Sequence, residues 1–451
     1  MKNIEKLFIF ILISSLLFAG CEKNKEGNDP DQNKIGAAED LLWLTPDLQP
    51  GTYRNIDKIF PTRVIKHGNN VFPLPYNATM LSSVVYSPDG INSYDIDDFI
   101  DRNNISGLLI IKDGQITLER YALGNNDDSK WVGFSTGKSF VSTLIGIAVQ
   151  DGKIGSINDQ VVEYLPQLEG SAYDGVSIKD LMQMSSGVSW NEDYMDPDSD
   201  ISAIFQCILD GQSGGVINYM SQLPRLAEPG TLYIYSTGET HLEAEVLNSV
   251  LQGESISDYL SRKVWANMGM EADGNWLLES DDGIEFGGGL LSMTLRDYGR
   301  FGQFILNDGI INNEAILPSG WVQSAGVPPS DSPQCAYGEL YSVNNAGAYA
   351  YAYPLGYSYN WWTMPSQTWG NWEYLNDPLW WGLDAIDALP PDFTNLLGTF
   401  TAQGIFGQFI HINKEENMVA IVLSAWETPW IDPKEYETYC FLNAATAALV
   451  H

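Results

Sequence analysis

The sequence predicts an α/β fold of the α+β type, in which helices flank an antiparallel sheet and a helical subdomain is inserted. Two observations predict the sheet: a hairpin pattern over residues 107–121, and two late strand patterns over residues 404–413 and 418–425. The third observation is the helix-rich stretch between them, because strands that return after a run of helices indicate an insertion into one sheet.

Each element follows from its local pattern. The hairpin joins two apolar runs at Asp113-Gly114, a dipeptide that favours tight turns. The apolar run over residues 135–150 predicts a helix, and residues 180–187 predict a shorter helix capped by its final glycine. Residues 292–306 predict a further helix with an apolar stripe, and residues 414–417 form the turn between the two late strands.

The N-terminal segment resembles a bacterial lipoprotein signal. Lys2 and Lys6 precede an apolar run over residues 7–19, which is too short to cross a bilayer as a stable helix. Leu17-Phe-Ala-Gly-Cys21 is similar to a lipobox, which implies cleavage before Cys21 and attachment of lipid to its sulfur. The expected location is the bacterial cell envelope, at the periplasmic face or the outer-membrane surface. The alternative is an ordinary signal peptide with an incidental cysteine.

Composition divides the chain and excludes several function classes. We expect a signal peptide (residues 1–20), a flexible polar tether (residues 21–45) and one large domain (residues 46–451). The formal net charge of −35, from 58 acids and 23 bases, argues against nucleic-acid binding and against a polybasic membrane contact. The other cysteines and the histidines show no metal or redox spacing, so we expect no metal and no cofactor. They are Cys207, Cys335, Cys440, His67, His241, His411 and His451.

The chemistry centres on Ser135-Thr-Gly-Lys138, at the start of the first predicted helix. Helical spacing places Ser135 and Lys138 one turn apart on the same face. If that helix is buried, desolvation lowers the pKa of the lysine, and its neutral amine becomes a base for the serine hydroxyl. The backbone N–H of Ser135 at a helix N-terminus also suits an oxyanion. The alternative is a helix-capping serine beside a solvated lysine.

Two downstream segments supply possible partners. Tyr235 follows a Pro-Gly turn near a loop-to-helix junction, where a cationic lysine would favour its phenolate and let it relay protons. Gly404-Ile405 lies on a glycine-flanked strand, whose exposed N–H could complete an oxyanion hole with that of Ser135. The alternatives are a core aromatic and a sheet-edge glycine needed only for packing.

In this order the three segments resemble the serine hydrolases of the β-lactamase and penicillin-binding-protein superfamily. They are more narrowly similar to class C β-lactamase-like esterases and 6-aminohexanoate-dimer hydrolases, which implies a β-lactamase-like/transpeptidase-like fold for residues 46–451. The resemblance makes Ser135 the nucleophile, Lys138 its base and Tyr235 the proton relay, with the Ser135 and Ile405 N–H groups as oxyanion hole. Its supporting phrases are residues 181–194, 265–270, 287–290, 296–303, 356–362 and 404–408.

Two departures from the resemblance bear on the substrate. Thr237 replaces the usual asparagine of the second motif, and Gly404-Ile405-Phe406 replaces Lys-Thr-Gly in the third. The cation that would hold the carboxylate of a β-lactam is missing, so we expect esters or linear amides with an apolar portion. Phe406 and Trp361 are candidate substrate contacts, and Tyr194 aligns with a tyrosine that helps to protonate the leaving nitrogen in amide-cleaving relatives.

The sequence therefore predicts a serine hydrolase that cleaves a small ester or amide through an acyl-enzyme, held to the membrane by its lipid anchor. One alternative is a D-alanyl-D-alanine carboxypeptidase or weak β-lactamase acting on cell-wall peptides or β-lactams. Another is a non-catalytic cell-wall-binding lipoprotein of the same fold. A Ser-His-acid triad through His241 is disfavoured, because no Gly-x-Ser-x-Gly surrounds Ser135.

Overall fold

A computed structural model of the chain describes residues 33–328, 340–342, 350–352, 355–366, 375 and 392–450. The predicted signal peptide, the predicted lipidation site Cys21, Cys335 and His451 lie outside these residues. Most of the insertion between residues 337 and 392, whose fold the sequence does not predict, lies outside them as well. Among the helices in the described ranges, none has both the length and the apolar character that spanning a membrane requires.

The helices and strands of the described residues have the following bounds. The α-helices there are α1 (Gln49–Arg54), α2 (Ile96–Arg102), α3 (Gly137–Gln150), α4 (Val161–Tyr164), α5 (Ile178–Met182), α6 (Asp200–Leu209), α7 (Gly215–Met220), α8 (Thr237–Val250), α9 (Ile256–Leu260), α10 (Leu295–Leu306), α11 (Trp321–Gly326) and α12 (Asp432–Val450). The β-strands there are β1 (Thr62–Ile65), β2 (Ile105–Lys112), β3 (Gln115–Tyr121), β4 (Lys130–Val132), β5 (Gly274–Leu277), β6 (Leu291–Thr294), β7 (Ile310–Ile311), β8 (Glu314–Ala315), β9 (Leu340–Ser342), β10 (Ala350–Ala352), β11 (Gly356–Ser358), β12 (Trp361–Thr363), β13 (Phe400–Gly404), β14 (Gln408–Asn413) and β15 (Met418–Ser424).

A seven-stranded sheet, ordered β11-β12-β13-β14-β15-β2-β3, forms the centre of the molecule, and every pair in it is antiparallel. Side chains alternate between its faces. On β2, Leu109 and Ile111 enter the core that also contains residues of α3 and α10, whereas Leu108 and Ile110 enter the core with residues of α2 and α12. Helices thus cover both faces, which confirms the predicted antiparallel sheet flanked by helices.

The helix-rich insertion, α4 to α9, lies between β4 and β5 of a second, four-stranded sheet ordered β1-β5-β6-β4. The predicted hairpin is β2 and β3, and the predicted turn at 414–417 joins β14 and β15. The helix expected over residues 292–306 begins later, at Leu295, because residues 291–294 pair as β6. The strand expected over residues 404–413 is interrupted by a turn at residues 405–407.

The short helix expected over residues 180–187 differs most from the prediction. It ends at Met182, and Met184 takes the left-handed conformation with a φ of 52°. Gly187 is therefore not the cap. A Cβ at Gly187 would collide with the carbonyl oxygen of Ala227, so glycine is needed there for close backbone approach.

The folded domain begins before residue 46, which corrects the predicted tether boundary. Leu41, Leu42 and Leu44 are buried in the larger core. The Gly36 N–H donates to Thr52 Oγ1 at 2.8 Å and fixes the segment against α1. An apolar run gains more by burial than by serving as a solvated linker, so its side chains pack although the residues before it are polar.

Candidate active site

Ser135 lies in a 3₁₀ turn, residues 134–136, that leads directly into α3. Phe134 precedes it with a φ of 46°, a left-handed conformation that the surrounding backbone must hold in place. The Leu290 N–H donates to the Phe134 carbonyl at 3.1 Å. Gly289, with a φ of 138°, approaches that carbonyl so closely that a Cβ would collide with it. The turn presents the half-buried Ser135 side chain at a fixed position.

Lys138 is buried, and its Nζ lies 2.8 Å from Ser135 Oγ and 2.8 Å from the Gly288 carbonyl oxygen. Burial lowers the pKa of Lys138 to about 8, against Glu192 and Glu243, which raise it. The predicted burial and contact are therefore present. The expected neutral amine is the major form only above pH 8, since about a tenth of the molecules are neutral one unit below a pKa.

Tyr235 immediately precedes Ser236, the N-cap of α8, as the loop-to-helix prediction required. Its ring centroid lies 5.1 Å from Lys138 Nζ. Burial and then the nearby Glu192 raise the pKa of Tyr235, although a hydrogen bond with Ser135 lowers it. The expected phenolate is therefore wrong: desolvation and a neighbouring carboxylate outweigh the lysine, and Tyr235 is a neutral phenol that can donate its proton.

The Ser135 and Ile405 N–H groups lie at the same end of the site. A Cβ built on Gly404 would be 3.1 Å from the Ser135 nitrogen, so β13 ends directly against the turn that contains Ser135. Neither N–H donates a hydrogen bond within the described residues. Gly404 belongs to a central strand and not to a sheet edge, and its missing side chain allows this approach. The pair can donate hydrogen bonds to the oxygen of a tetrahedral intermediate.

Phe406, a predicted substrate contact, is buried behind this end of the site. It has a φ of 61° and is 1 % exposed. Its ring centroid lies 5.2 Å from that of Phe134 and 5.6 Å from that of Tyr53, and Tyr53 and Phe134 are 5.0 Å apart. The predicted contact is corrected: the turn directs Phe406 into the core, where the three rings support the residues next to Ser135 and Ile405.

Trp361 and Trp362 occupy the opposite faces of β12. Trp361, the predicted contact, is 1 % exposed and packs in the core against Phe400, with ring centroids 5.2 Å apart. Trp362 instead stacks on Tyr235, with centroids 5.5 Å apart and planes inclined by 16°. Since successive strand residues point to opposite faces, the aromatic beside Tyr235 is Trp362 and not Trp361.

A small cavity of about 40 Å³ opens beside Ser135. Tyr194, Thr237 and Gly288 line it together with the serine. Apolar side chains form the rest of its described wall, which makes it suited to an aliphatic or aromatic group. They are Leu41, Leu42, Phe134, Ile201, Ile204, Phe205, Phe286, Leu290 and Ile405.

Glu192 is a site residue that the sequence did not reveal. It accepts hydrogen bonds from the Trp190 indole, from the Tyr194 hydroxyl at 2.6 Å, and from the backbone N–H and hydroxyl of Thr237. The carboxylate faces the N-terminus of α8, which the helix dipole favours. Tyr194 thus lines the cavity as expected, but its hydroxyl proton is engaged with Glu192. The sequence offered one sign of Glu192: it lies close to Tyr194 in the same loop.

Asn360 is hydrogen-bonded to the backbone of Lys138. Its Nδ2 donates to Glu243 Oε2 at 2.8 Å and to the Lys138 carbonyl oxygen at 3.3 Å. The backbone carbonyl of Asn360 accepts from Ser139 Oγ at 2.6 Å. Burial raises the pKa of Glu243 well above its usual range, which weakens its effect on Lys138. Glu192 therefore remains the carboxylate that most opposes deprotonation of Lys138.

His241, Glu245 and Glu279 place ligand atoms within 4.8 Å of one another, close enough to hold a metal ion. However, His241 Nδ1 accepts a hydrogen bond from the Gly287 N–H at 3.3 Å, so the imidazole proton sits on Nε2 and faces Glu279 at 3.2 Å. A metal-binding imidazole carries its proton on the nitrogen away from the ion. The group is a histidine–carboxylate pair that holds Gly287, and these contacts give the triad interpretation no support.

Comparison with known proteins gives one consistent result. A family model described as Beta-lactamase matches residues 95–438. A 6-aminohexanoate-dimer hydrolase from Paenarthrobacter ureafaciens is 24% identical over 341 residues, covering 74% of this chain and 76% of that protein.

Solved structures agree in fold. A Bacillus anthracis protein, provisionally named a 6-aminohexanoate-dimer hydrolase, superposes with a TM-score of 0.71 at 18% identity, covering 94% of this chain and 98% of that chain. A class C β-lactamase in complex with cefoxitin superposes with a TM-score of 0.51 at 17% identity, covering 77% of this chain and 96% of that chain. At these identities the likeness concerns the fold, and it confirms the predicted β-lactamase-like architecture.

Proposed function

Because this chain belongs to the beta-lactamase family, whose model matches residues 95–438, we propose that it is a serine hydrolase of esters or linear amides. The observation that carries the proposal is the 2.8 Å contact between the buried Lys138 Nζ and Ser135 Oγ. A lysine whose pKa is lowered to about 8 supplies an amine base at mildly alkaline pH, directly beside a hydroxyl that needs one.

The first half of the reaction forms an acyl-enzyme. Lys138 Nζ takes the hydroxyl proton as Ser135 Oγ attacks the substrate carbonyl carbon. The carbonyl oxygen becomes an oxyanion and receives hydrogen bonds from the Ser135 and Ile405 N–H groups, which are fixed before the substrate arrives. The bond to the leaving group then breaks, and the leaving oxygen or nitrogen receives a proton from Tyr235, which is replenished from Lys138.

The second half releases the acyl group. Water gives up a proton to the Lys138–Tyr235 pair and attacks the acyl carbon. The second tetrahedral intermediate uses the same two N–H groups, and Ser135 Oγ leaves with a proton from Lys138. The products are a carboxylic acid and the free serine, so the protons balance over the cycle.

The cavity favours esters and linear amides over β-lactams. Its described wall contains apolar side chains and no lysine or arginine, and the third motif supplies none at Ile405 or Phe406. A β-lactam carboxylate would therefore enter an apolar site without a cation to offset its desolvation. Linear amides are included because the relative from Paenarthrobacter ureafaciens is a 6-aminohexanoate-dimer hydrolase.

A substrate panel tests the proposal. Purified protein is assayed with p-nitrophenyl esters, linear anilides and nitrocefin, and with a fluorescent penicillin as a covalent label. We expect turnover of at least one ester or linear amide, with kcat/KM at least about tenfold above that for nitrocefin. Durable penicillin labelling of Ser135 without ester or amide turnover would instead favour the D-alanyl-D-alanine carboxypeptidase or weak β-lactamase.

Tyr235→Phe separates the relay from other roles of the phenol. The variant keeps the ring that stacks on Trp362 and loses only the hydroxyl. We expect kcat to fall by roughly 10²-fold for a linear amide or alkyl ester, whose leaving group needs a proton, and much less for a p-nitrophenyl ester. Tyr233→Phe is the matched control, because its ring also contacts Trp362. Equal losses on all substrates would contradict the relay.

A further inference from the structure

One side of the cavity at Ser135 is built by the segment that precedes α1. Leu41 and Leu42 both line this cavity, and they are 0% and 9% exposed. The segment also contacts α1 along its backbone, since a Cβ at Gly51 would collide with the Lys34 carbonyl. These leucines lie outside residues 95–438, so this wall is an addition to the matched family region.

The position of Tyr235 indicates which part of a substrate the cavity receives. Tyr235 and Trp362 stack on each other but do not belong to the described cavity lining. If Tyr235 protonates the leaving group, the leaving group departs on the side of these rings. The acyl portion then extends from the carbonyl, held at Ser135 and Ile405, into the cavity.

We propose that Leu41 and Leu42 determine specificity by closing the acyl cavity and limiting the length of an aliphatic acyl chain. The assignment rests on the proposed hydrolase function. Ile204 and Phe205 of α6 line the same cavity, so the chain is enclosed by apolar surface from both segments. Each methylene of the acyl chain that fits the cavity strengthens binding by its burial. An ester whose chain is long enough to overlap the two leucines binds poorly.

The test uses a series of p-nitrophenyl esters from acetate to dodecanoate, which varies the acyl chain and keeps one leaving group. We expect kcat/KM of the wild type to rise with chain length and then fall sharply. Leu42→Ala and Leu41→Ala should move that fall to longer chains, with about a tenfold gain for the first ester that the wild type rejects. Leu42→Phe should move it to shorter chains, and this variant keeps the test valid if the alanine variants unfold.

Leu44→Ala is the matched control, because Leu44 is buried in the same segment but does not line the cavity. It should lower thermal stability and leave the chain-length profile unchanged. The same profile in the wild type, Leu42→Ala and Leu42→Phe would overturn the proposal, and so would a shift in the alcohol-chain preference of alkyl acetates alone. If wild-type turnover is lost in Ser135→Ala but the profiles coincide, only this inference fails. If the wild type hydrolyses no ester or amide, the hydrolase proposal itself fails.

Discussion

Replacement of Ser135 by alanine is expected to abolish ester and amide turnover, with a loss in kcat of roughly 10⁴-fold or more. The Ser135 Oγ forms the acyl bond in the proposed reaction, and a methyl group cannot take its place. Alanine retains the backbone N–H of the oxyanion hole, so the loss reports on the nucleophile alone. The measurement is steady-state hydrolysis of the best ester, with the unfolding temperature as a check on folding.

Ser213→Ala is the control for this variant, because Ser213 is exposed in the described structure and lies between α6 and α7. Mass spectrometry of the quenched wild type should find the acyl group on the peptide that contains Ser135, and Ser135→Ala should carry none. Unchanged turnover in Ser135→Ala would refute the enzyme proposal, leaving a non-catalytic binding lipoprotein as the interpretation.

Lys138→Met is expected to lower kcat/KM by about 10³-fold and to remove a pH dependence that the wild type shows. Burial lowers the pKa of Lys138 to about 8, so wild-type activity should rise with pH as the ammonium loses its proton, with a midpoint near that value. Methionine fills a similar volume without a titrating amine. A pH–rate profile of both proteins between pH 6 and pH 10 provides the measurement.

Lys138→Arg distinguishes a base from a fixed positive charge. A guanidinium keeps the charge but does not deprotonate in this range, so the arginine variant should be as inactive as the methionine variant. Activity restored by arginine would contradict the role as base. Stability gives a second measurement: between the folded pKa of about 8 and the ordinary value of 10.5, the unfolded chain binds more protons than the folded one. The free energy of unfolding should therefore rise with pH in the wild type relative to Lys138→Met.

Local motifs in the sequence indicate the proposed catalytic set. Ser135 and Lys138 are linked by helical spacing, and Tyr235 stands beside a recognisable helix start, so each position follows from a few neighbouring residues. The protonation states did not follow in the same way. They depend on burial and on Glu192, whose partners Trp190, Tyr194 and Thr237 come together only in the folded chain.

The substrate contacts depended on features that local patterns do not contain. Whether Trp361 or Trp362 faces the site depends on which face of the three-residue strand β12 each side chain takes. The preceding turn sets these directions, because Tyr359 and Asn360 there are left-handed. Phe406 was predicted as a substrate contact because the turn at residues 405–407 was not predicted. For the antiparallel sheet, by contrast, the apolar runs of β2, β3, β14 and β15 predicted strands, and the fold class was correct.

The Tyr53 ring packs against Phe134 and Phe406, so the proposed activity depends on a residue outside the family match. A shortened chain beginning at residue 95 would contain the whole family match, the seven-stranded sheet and the proposed catalytic set, but not α1. Such a fragment would leave a void under the two left-handed residues that position the Ser135 and Ile405 N–H groups. Proteolysis that removes α1 would therefore inactivate the proposed hydrolase and spare Ser135, Lys138 and Tyr235.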